Sequence, residues 1–262
     1  MSFIREFFGY GGYQRTAEGA YSWQHLLFVI SVTLIMVALA VILGIKYRNK
    51  DEKTKNKVII WSAILIDSFE ILKWIILATR SGSILTLRHY LPLFLCSIQL
   101  ITLPVAAFSK GRIREACLDF ILMFGILGGV AGTIGAAQNY NYYPVLSFDN
   151  IVSAITHNIS AFASLFIVIS GLISMKKKNI WITVAILLSF IAMAFGMNYV
   201  VDYNYMFLRN HDGTPYVIFY NMVHGNKVLY PMTVILVFLL YMALFYTVYY
   251  LISKKGKKEA TA

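Results

Sequence analysis

Charged residues are scarce in this chain of 262 residues. Asp, Glu, Lys and Arg together make up 13% of the sequence, whereas 59% of the residues are hydrophobic. Ordinary globular proteins carry about 25% charged residues. The mean hydropathy is +0.68, and a chain of this length cannot bury so many apolar side chains in a fold surrounded by water. The composition therefore excludes a soluble domain and predicts that the solvent is lipid.

Cysteine and histidine are also rare. Only Cys96 and Cys117 occur, which excludes a disulfide scaffold, and we interpret both as thiols. No two of the five histidines have the spacing of metal ligands on one helix face, so we expect no metal and no cofactor. The amino terminus has no apolar core followed by a small-residue cleavage site. We therefore expect that the first apolar run is retained as a helix.

Long apolar runs are abundant, and seven of them reach the length of about 20 residues that a helix needs to cross a bilayer. Their pattern predicts an all-α fold, a polytopic membrane bundle of seven transmembrane helices in a single membrane domain over residues 1–262. The predicted spans lie near residues 25–45, 58–78, 85–108, 116–136, 151–174, 180–201 and 230–252.

The 23 Lys and Arg residues outnumber the 12 Asp and Glu residues and are unevenly distributed. Six of the cations fall on one side of the predicted membrane, and Lys73 lies within a span. Sixteen fall in four tracts on the other side, at residues 46–57, 110–114, 176–178 and 254–258. The positive-inside rule then predicts an amino terminus outside and a carboxyl terminus in the cytoplasm.

Short basic tracts between apolar runs are typical of cytoplasmic loops and not of a nucleic-acid groove. We therefore expect membrane lipids, and no nucleic acid, as partners. The sequence indicates no oligomeric state.

Three ionisable residues occur inside the second predicted span. Placing an ionisable side chain inside a bilayer costs free energy, so each of them is expected to have a partner or a function. Asp67, Glu70 and Lys73 follow one another in steps of three, which places them on one helix face. Three interpretations remain open: a neutralised cluster that fixes helix packing, a proton or ion relay, and a binding site for a substrate headgroup.

Cys96 lies about halfway along the third predicted span, between Pro92 and Pro104, and His157 lies in the fifth. Taken alone, a membrane cysteine is most often a small hydrophobe and a lone histidine a structural group. A thiol in apolar surroundings is inert unless a neighbouring imidazole accepts its proton. Chemistry at Cys96 therefore requires that His157 lies beside it.

The fourth predicted span is rich in glycine. Gly125 and Gly129, and likewise Gly128 and Gly132, have the four-residue spacing that lets helix backbones approach closely. This pattern favours a packing seam. The alternative is a smooth wall that leaves room for an acyl chain.

Three features together resemble a known family: the segment LPLFLC at residues 91–96, the isolated His157, and the segment NYMFL at residues 204–208 followed by Pro215. They are similar to the YwaF family of bacterial integral membrane proteins, over about residues 20–250. That family is similar in turn to a eukaryotic transmembrane lysophospholipid acyltransferase, which uses a cysteine and a histidine. The chain departs from the pattern at Phe94, where a polar residue is often found.

The resemblance implies a multi-pass protein of the bacterial cell membrane with Cys96 and His157 as catalytic residues. It implies acyl transfer or hydrolysis on phospholipids or lysophospholipids, in which Cys96 attacks an ester carbonyl and His157 takes and returns the proton. The candidate substrate-binding residues are Asp67, Glu70, Lys73, Gln99, Asn158, Asn204 and Tyr205.

Two alternatives to an enzyme remain open. The first is a small transporter or ion-coupled carrier that uses a charged path of Asp67, Glu70, Lys73 and His157. The second is a non-catalytic membrane scaffold whose glycine-rich fourth span binds a partner helix.

Overall fold

The computed structural model describes residues 3–135 and 137–259, with backbone alone for Ala137 and for residues 254–259. The side chains of the four tail lysines at 254–258 therefore lie outside the described residues. Every regular element in the described ranges is a helix, and no strand occurs there. The α-helices are α1 (Phe3–Phe7), α2 (Trp23–Tyr47), α3 (Glu52–Ser81), α4 (Gln99–Phe108), α5 (Gly111–Thr133), α6 (Ala137–Tyr142), α7 (Phe148–Ile169), α8 (Ile180–Val200), α9 (Val217–Met222) and α10 (Leu229–Glu259).

Among the described residues, five helical stretches are long and apolar enough to cross a membrane, and they coincide with the first, fourth, fifth, sixth and seventh predicted spans. They are Trp23–Tyr47, Gly111–Tyr142, Phe148–Ile169, Lys177–Val200 and Leu229–Ser253. The prediction of an all-helical protein with several membrane-spanning helices is confirmed at this level.

The second predicted span lies within α3, which has 30 residues and forms one helix. Asp51 caps it, since its side chain accepts a hydrogen bond of 3.0 Å from the backbone N–H of Thr54. At the other end Gly82 adopts the left-handed conformation, with φ of 67°, that commonly ends helices. The helix continues through all three ionisable residues.

The third predicted span is not one helix, which departs from the prediction for residues 85–108. A 3₁₀ helix over Ile84–His89 and α4 are separated by a segment without regular structure, and Cys96 lies in a turn of this segment. Pro92 has no backbone N–H and disfavours helical geometry in the residue before it. The Ser97 hydroxyl then accepts a hydrogen bond of 3.0 Å from the Phe94 N–H, which closes the turn before α4.

The chain forms two compact units that divide between Asn179 and Ile180. In the first unit α5 and α7 share the most extensive interface, α2 packs on α7, and α4 contacts both α3 and α5. Every residue of α5 from Ala116 to Gly125 is buried. Burial of consecutive residues on all sides of a helix means that other elements surround it, so α5 is the centre of this unit.

Apolar side chains cover the outside of α2. Leu27, Leu34 and Ile42 are exposed by 58%, 63% and 60%. Soluble proteins rarely expose continuous apolar surface of this extent, whereas a bilayer solvates it. The exposed face of α2 is therefore a lipid-facing surface.

Residues from three of the predicted basic tracts meet at one end of the first unit. Arg114 pairs with Glu52, and Lys176 pairs with Glu115. The Arg112 guanidinium donates a hydrogen bond of 3.2 Å to Asn179. These contacts bring the start of α3, the start of α5 and the segment after α7 together.

The amino-terminal segment before α2 is attached to the opposite end of α3. Arg80 donates two hydrogen bonds, of 2.7 and 3.1 Å, to the carboxylate of Asp149 at the start of α7. The Tyr13 hydroxyl donates to the same carboxylate. Burial, followed by the Asp149 carboxylate, raises the pKa of Tyr13 above its ordinary value, so Tyr13 remains a hydrogen-bond donor at neutral pH.

The second unit contains α8, α9 and α10 and the loop between α8 and α9. Asn198, near the end of α8, accepts a hydrogen bond from the Tyr205 N–H and donates one of 3.0 Å to the Tyr205 carbonyl. Met206 adopts a left-handed conformation, with φ of 53°, inside the short 3₁₀ helix Tyr205–Phe207. The side chain of Asn198 therefore holds a sharply turned loop.

Candidate functional site

Two glycines of α5 make space for Cys96 and His157. A Cβ atom built on Gly132 would lie 2.3 Å from Nδ1 of His157, and one built on Gly128 would lie 3.2 Å from Cβ of Cys96. The first distance is too short for any side chain, so Gly132 is required for the present position of the imidazole. Residues four apart lie one above the other on a helix face.

Cys96 and His157 therefore lie against successive turns of one face of α5, although they belong to different segments of the chain. Both side chains are partly exposed. Among the described residues, no hydrogen bond joins the two side chains to each other or to a third side chain. The fold brings the predicted pair into one neighbourhood, and neither side chain has another side chain as a hydrogen-bond partner in the described ranges.

The other two glycines of this face pack directly on α7. A Cβ atom built on Gly125 would lie 2.6 Å from the carbonyl oxygen of Ser160, and one on Gly129 would lie 2.5 Å from Cβ of Ala161. Ser164 on α7 also donates a hydrogen bond of 2.7 Å to the Leu122 carbonyl. The glycine-rich face is thus both a packing seam and the wall behind Cys96 and His157.

The turn that carries Cys96 presents an unpaired hydrogen-bond donor. Within the part of the chain that the structure describes, the backbone N–H group of Leu95 donates to no acceptor. The N-cap of α4, Ile98, supplies no side-chain cap. The N–H groups of Leu100 and Ile101 at the start of α4 are paired with the carbonyls of Ser97 and Ile98. The Leu95 N–H is a donor that remains available beside Cys96.

Gln99 adds a side-chain donor one turn after Cys96. The residue is fully buried, and its Oε1 accepts a hydrogen bond of 3.0 Å from Thr102. Its Nε2 has no partner in the described ranges. Buried amide groups are nearly always paired, so this atom is a candidate contact for a bound molecule.

Lys73 and Glu70 form an ion pair at 3.1 Å, and Trp74 donates a hydrogen bond of 3.0 Å to the same carboxylate. The Lys73 ammonium also lies 5.5 Å from the centre of the Tyr90 ring. Its charge acts on both Cys96 and His157. The sequence pattern placed Lys73 on a face of α3, and the fold brings it to the site.

Asp67 has a different environment from the other two ionisable residues of α3. It is partly exposed and forms neither an ion pair nor a side-chain hydrogen bond within residues 3–135 and 137–259. The predicted three-residue cluster is therefore a Glu70 and Lys73 pair with an unpaired carboxyl one turn away.

The remaining predicted binding residues have local structural contacts. Asn158 donates a hydrogen bond of 2.8 Å to the Ala154 carbonyl of its own helix. Asn204 donates to the Asp212 carboxylate at 2.6 Å and so closes the loop after α8. Tyr205 is fully buried in that loop. Asn204 and Tyr205 belong to the second unit, whereas Cys96 and His157 belong to the first.

Two contributors were missed at the sequence level: the backbone N–H group of Leu95 beside Cys96 and the Tyr90 ring. Pro92 in an apolar run was a usable signal, because a proline that ends a helix exposes the backbone groups that follow it. Nothing in the sequence indicates the contact of Tyr90 with Lys73.

In the described part of the chain, no group of three or more His, Cys, Asp or Glu side chains is arranged to hold a metal ion.

The fold and the site together define a class: a multi-pass helical membrane protein with a cysteine and a histidine packed against a glycine-rich central helix. The family follows from comparison with known proteins. The chain belongs to the TMEM164 family, a family of transmembrane proteins, whose model matches residues 20–249. No curated protein and no solved structure matches the chain.

Proposed function

We propose that this membrane protein is a lipid acyltransferase or hydrolase in which Cys96 is the nucleophile and His157 the general base. The main support is that Cβ of Cys96 and the imidazole of His157 lie against successive turns of the same glycine face of α5. Catalytic hydrogen bonds are often long in the absence of substrate and tighten in the Michaelis complex. A role for the pair is therefore compatible with the lack of a direct hydrogen bond between them.

The first half-reaction forms a thioester. The Cys96 thiol loses its proton to His157, and Sγ attacks the ester carbonyl carbon of a membrane lipid. The tetrahedral intermediate collapses when the ester C–O bond breaks, and His157 gives its proton to the alkoxide that leaves. The products are an acylated Cys96 and a lipid with one free hydroxyl.

The second half-reaction releases the acyl group. His157 takes the proton of an acceptor hydroxyl, whose oxygen attacks the thioester carbonyl, and the Cys96 thiolate leaves and is reprotonated. A lipid hydroxyl as acceptor gives transfer, and water gives hydrolysis. Exclusion of water by the surrounding bilayer favours transfer.

Negative charge develops on the carbonyl oxygen in both steps. The unpaired N–H group of Leu95 and the unpaired Nε2 of Gln99 are donors suited to this charge.

Lys73 is the candidate contact for a lipid headgroup. Its ammonium is only partly exposed and is held by Glu70, so a phosphate oxygen would share the ammonium with that carboxylate. For a headgroup that also carries a positive charge, Asp67 is the next carboxylate along α3 and is a candidate contact for that charge.

The proposed topology has seven crossings in a bacterial cell membrane, with the amino terminus outside and the carboxyl terminus in the cytoplasm. The third crossing consists of the 3₁₀ helix, the Cys96 turn and α4. This topology is supported by the first unit, in which Arg114 and Lys176 lie at one end while Arg80 lies at the far end of α3.

Acylation of purified protein tests the proposal. An activated long-chain acyl ester should form a hydroxylamine-sensitive thioester on Cys96, located by peptide mass spectrometry. His157→Ala should slow this acylation by about 100-fold, the usual effect of removing a general base. Cys117→Ala is the matched control, since Cys117 is the second thiol and is buried in α5.

Acylation of Cys96 at the same rate in wild type and His157→Ala would reject the catalytic pair. So would equal modification of Cys96 and Cys117, since it would mean that neither thiol is activated. Circular dichroism and gel filtration of each variant establish that the fold persists.

A carrier remains the second candidate because Asp67 is an unpaired carboxyl within a predicted span. A carrier would leave Cys96 unmodified by the ester, and flux into proteoliposomes would depend on Asp67 and be unchanged by Cys96→Ala.

A further inference from the structure

A polar cleft of ≈ 210 Å³ lies at the basic end of the first unit, and none of its lining residues belongs to the candidate functional site. It is formed by the start of α3, the start of α5 and the segment after α7. The residues that carry the argument are Glu52, Lys55, Arg114, Glu115, Ser174 and Lys176.

The carboxylates of the cleft are already neutralised. Arg114 pairs with Glu52, and Lys176 pairs with Glu115. Arg114 also donates a hydrogen bond of 3.2 Å to Asn56. The two glutamates therefore orient their cations and do not repel an incoming anion.

Lys55 is the cation without a partner. It forms no ion pair and no side-chain hydrogen bond with the residues that the structure describes. Its Nζ lies 3.9 Å from a Cβ atom built on Gly171, so the ammonium reaches from α3 to the segment after α7. The cleft consequently holds one positive charge that no carboxylate balances.

Unpaired donors lie beside this charge. The N–H groups of Ile173 and Ser174 donate to no acceptor in the described ranges. The Ser174 hydroxyl oxygen is buried and has no partner there. Gly171, with φ of +71°, gives the turn that leads into these residues. Buried polar atoms without partners are uncommon, and the Ser174 hydroxyl lines the same cleft as two unpaired N–H groups and the Lys55 ammonium, which indicates a ligand.

We infer that this cleft binds a phosphate group, held by Lys55, the Ser174 hydroxyl and the N–H groups of residues 173 and 174. Ammonium, hydroxyl and consecutive backbone N–H groups are the donors that bind phosphate oxygens in proteins. The volume is below the 300–1,000 Å³ typical of sites for larger ligands, which suits a headgroup and not a whole lipid. The phosphate belongs to an anionic phospholipid or to a soluble phosphate.

Binding of two anionic probes, phosphatidylglycerol and inorganic phosphate, to the purified protein in detergent tests the inference. Native mass spectrometry with phosphatidylglycerol, and with phosphatidylcholine for comparison, measures the lipid; calorimetry with inorganic phosphate measures the soluble anion. Lys55→Gln should weaken binding of the anion that occupies the cleft, phosphatidylglycerol or inorganic phosphate, by about tenfold. This is the effect of losing a charge-assisted hydrogen bond. Ser174→Ala should weaken it about threefold.

The controls separate this site from its surroundings and from the proposed enzyme. Lys53→Gln removes an exposed cation two residues away that does not line the cleft, and binding should be unchanged. Cys96→Ala should also leave binding unchanged, so failure of the acylation experiment does not affect this one.

Each outcome decides between the sources or rejects the site. Lys55-dependent preference for phosphatidylglycerol identifies a lipid headgroup, and Lys55-dependent binding of inorganic phosphate without that preference identifies a soluble ligand. If Lys55→Gln binds both probes as well as Lys53→Gln does, the inference is wrong. If Lys55→Gln does not fold, Ser174→Ala replaces it in the same comparison with Lys53→Gln.

Discussion

Gly132 is the residue on which the position of His157 depends most directly. A methyl group at this site would overlap the imidazole, whose Nδ1 is 2.3 Å from the built Cβ. Displacement of a catalytic group by about 1 Å commonly costs about 100-fold in rate. We therefore expect Gly132→Ala to slow acylation of Cys96 by about this factor, measured by mass spectrometry of the modified peptide.

Gly129→Ala is the matched variant, because it crowds the same helix interface without touching the imidazole ring. Its built Cβ lies 2.5 Å from Cβ of Ala161 on α7. Both variants should lose stability by overpacking, about 1–3 kcal/mol. Equal acylation in two variants of equal thermal stability would show that Gly132 has only a packing role.

At this scale the sequence identified the residue types and not their surroundings. Cys96, His157 and Lys73 stood out because reactive or charged groups within apolar runs need a reason. The sequence indicated the unpaired N–H group of Leu95 only indirectly, through Pro92, since backbone pairing depends on where a helix begins. The local roles of Asn158 and Asn204 were missed for a similar reason: an amide side chain bonds whichever backbone group the fold brings near.

Among the elements, the broken third span differs most from the sequence prediction. Hydropathy measures how apolar a segment is and carries no information about helix continuity. Pro104 lies inside α4 without ending it, whereas the chain around Pro92 is not helical. The same residue type therefore has two outcomes, and only the hydrogen bonds of the turn at Phe94 and Ser97 distinguish them.

The amino-terminal segment is tied to α3 and α7 by one largely buried carboxylate, Asp149, whose side chain is 12% exposed. Its Arg80 partner has a side chain exposed by only 18%, and loss of one partner of a buried pair typically costs about 3–5 kcal/mol. We expect Asp149→Asn to lower thermal stability and to speed tryptic cleavage after the exposed Arg15, because Tyr13 loses a charged acceptor. Differential scanning fluorimetry and timed proteolysis measure both effects.

Asp202→Asn provides the comparison for an exposed ion pair. Asp202 bonds Arg209 but its side chain is 89% exposed, and exposed pairs contribute little to stability. Unchanged stability and cleavage are expected. An equal response in the two variants would mean that burial of the Arg80 pair is not what secures the segment.

For the whole molecule, the distribution of charge decides the orientation in the membrane. Glu52 and Arg80 are separated by about 40 Å along α3 at 1.5 Å per residue, enough to place them on opposite surfaces. Both native cysteines are first replaced by alanine. In intact cells a membrane-impermeant maleimide should then label Arg15→Cys, and should label Lys53→Cys only after permeabilisation.

The two positions form a matched pair, since each is exposed and each replacement removes one positive charge. The reversed pattern of labelling would place the sixteen clustered cations outside. That result would contradict the positive-inside assignment on which the proposed topology depends.

The sequence by itself determined the solvent, the helical class and most of the spans. These follow from composition and from the length of apolar runs, which act locally because a membrane helix satisfies its own backbone hydrogen bonds. Only the tertiary structure decided that Cys96 lies in a turn and that it shares a face of α5 with His157. Those features depend on which helices pack together, and contacts between residues far apart in the chain are not encoded in any single segment.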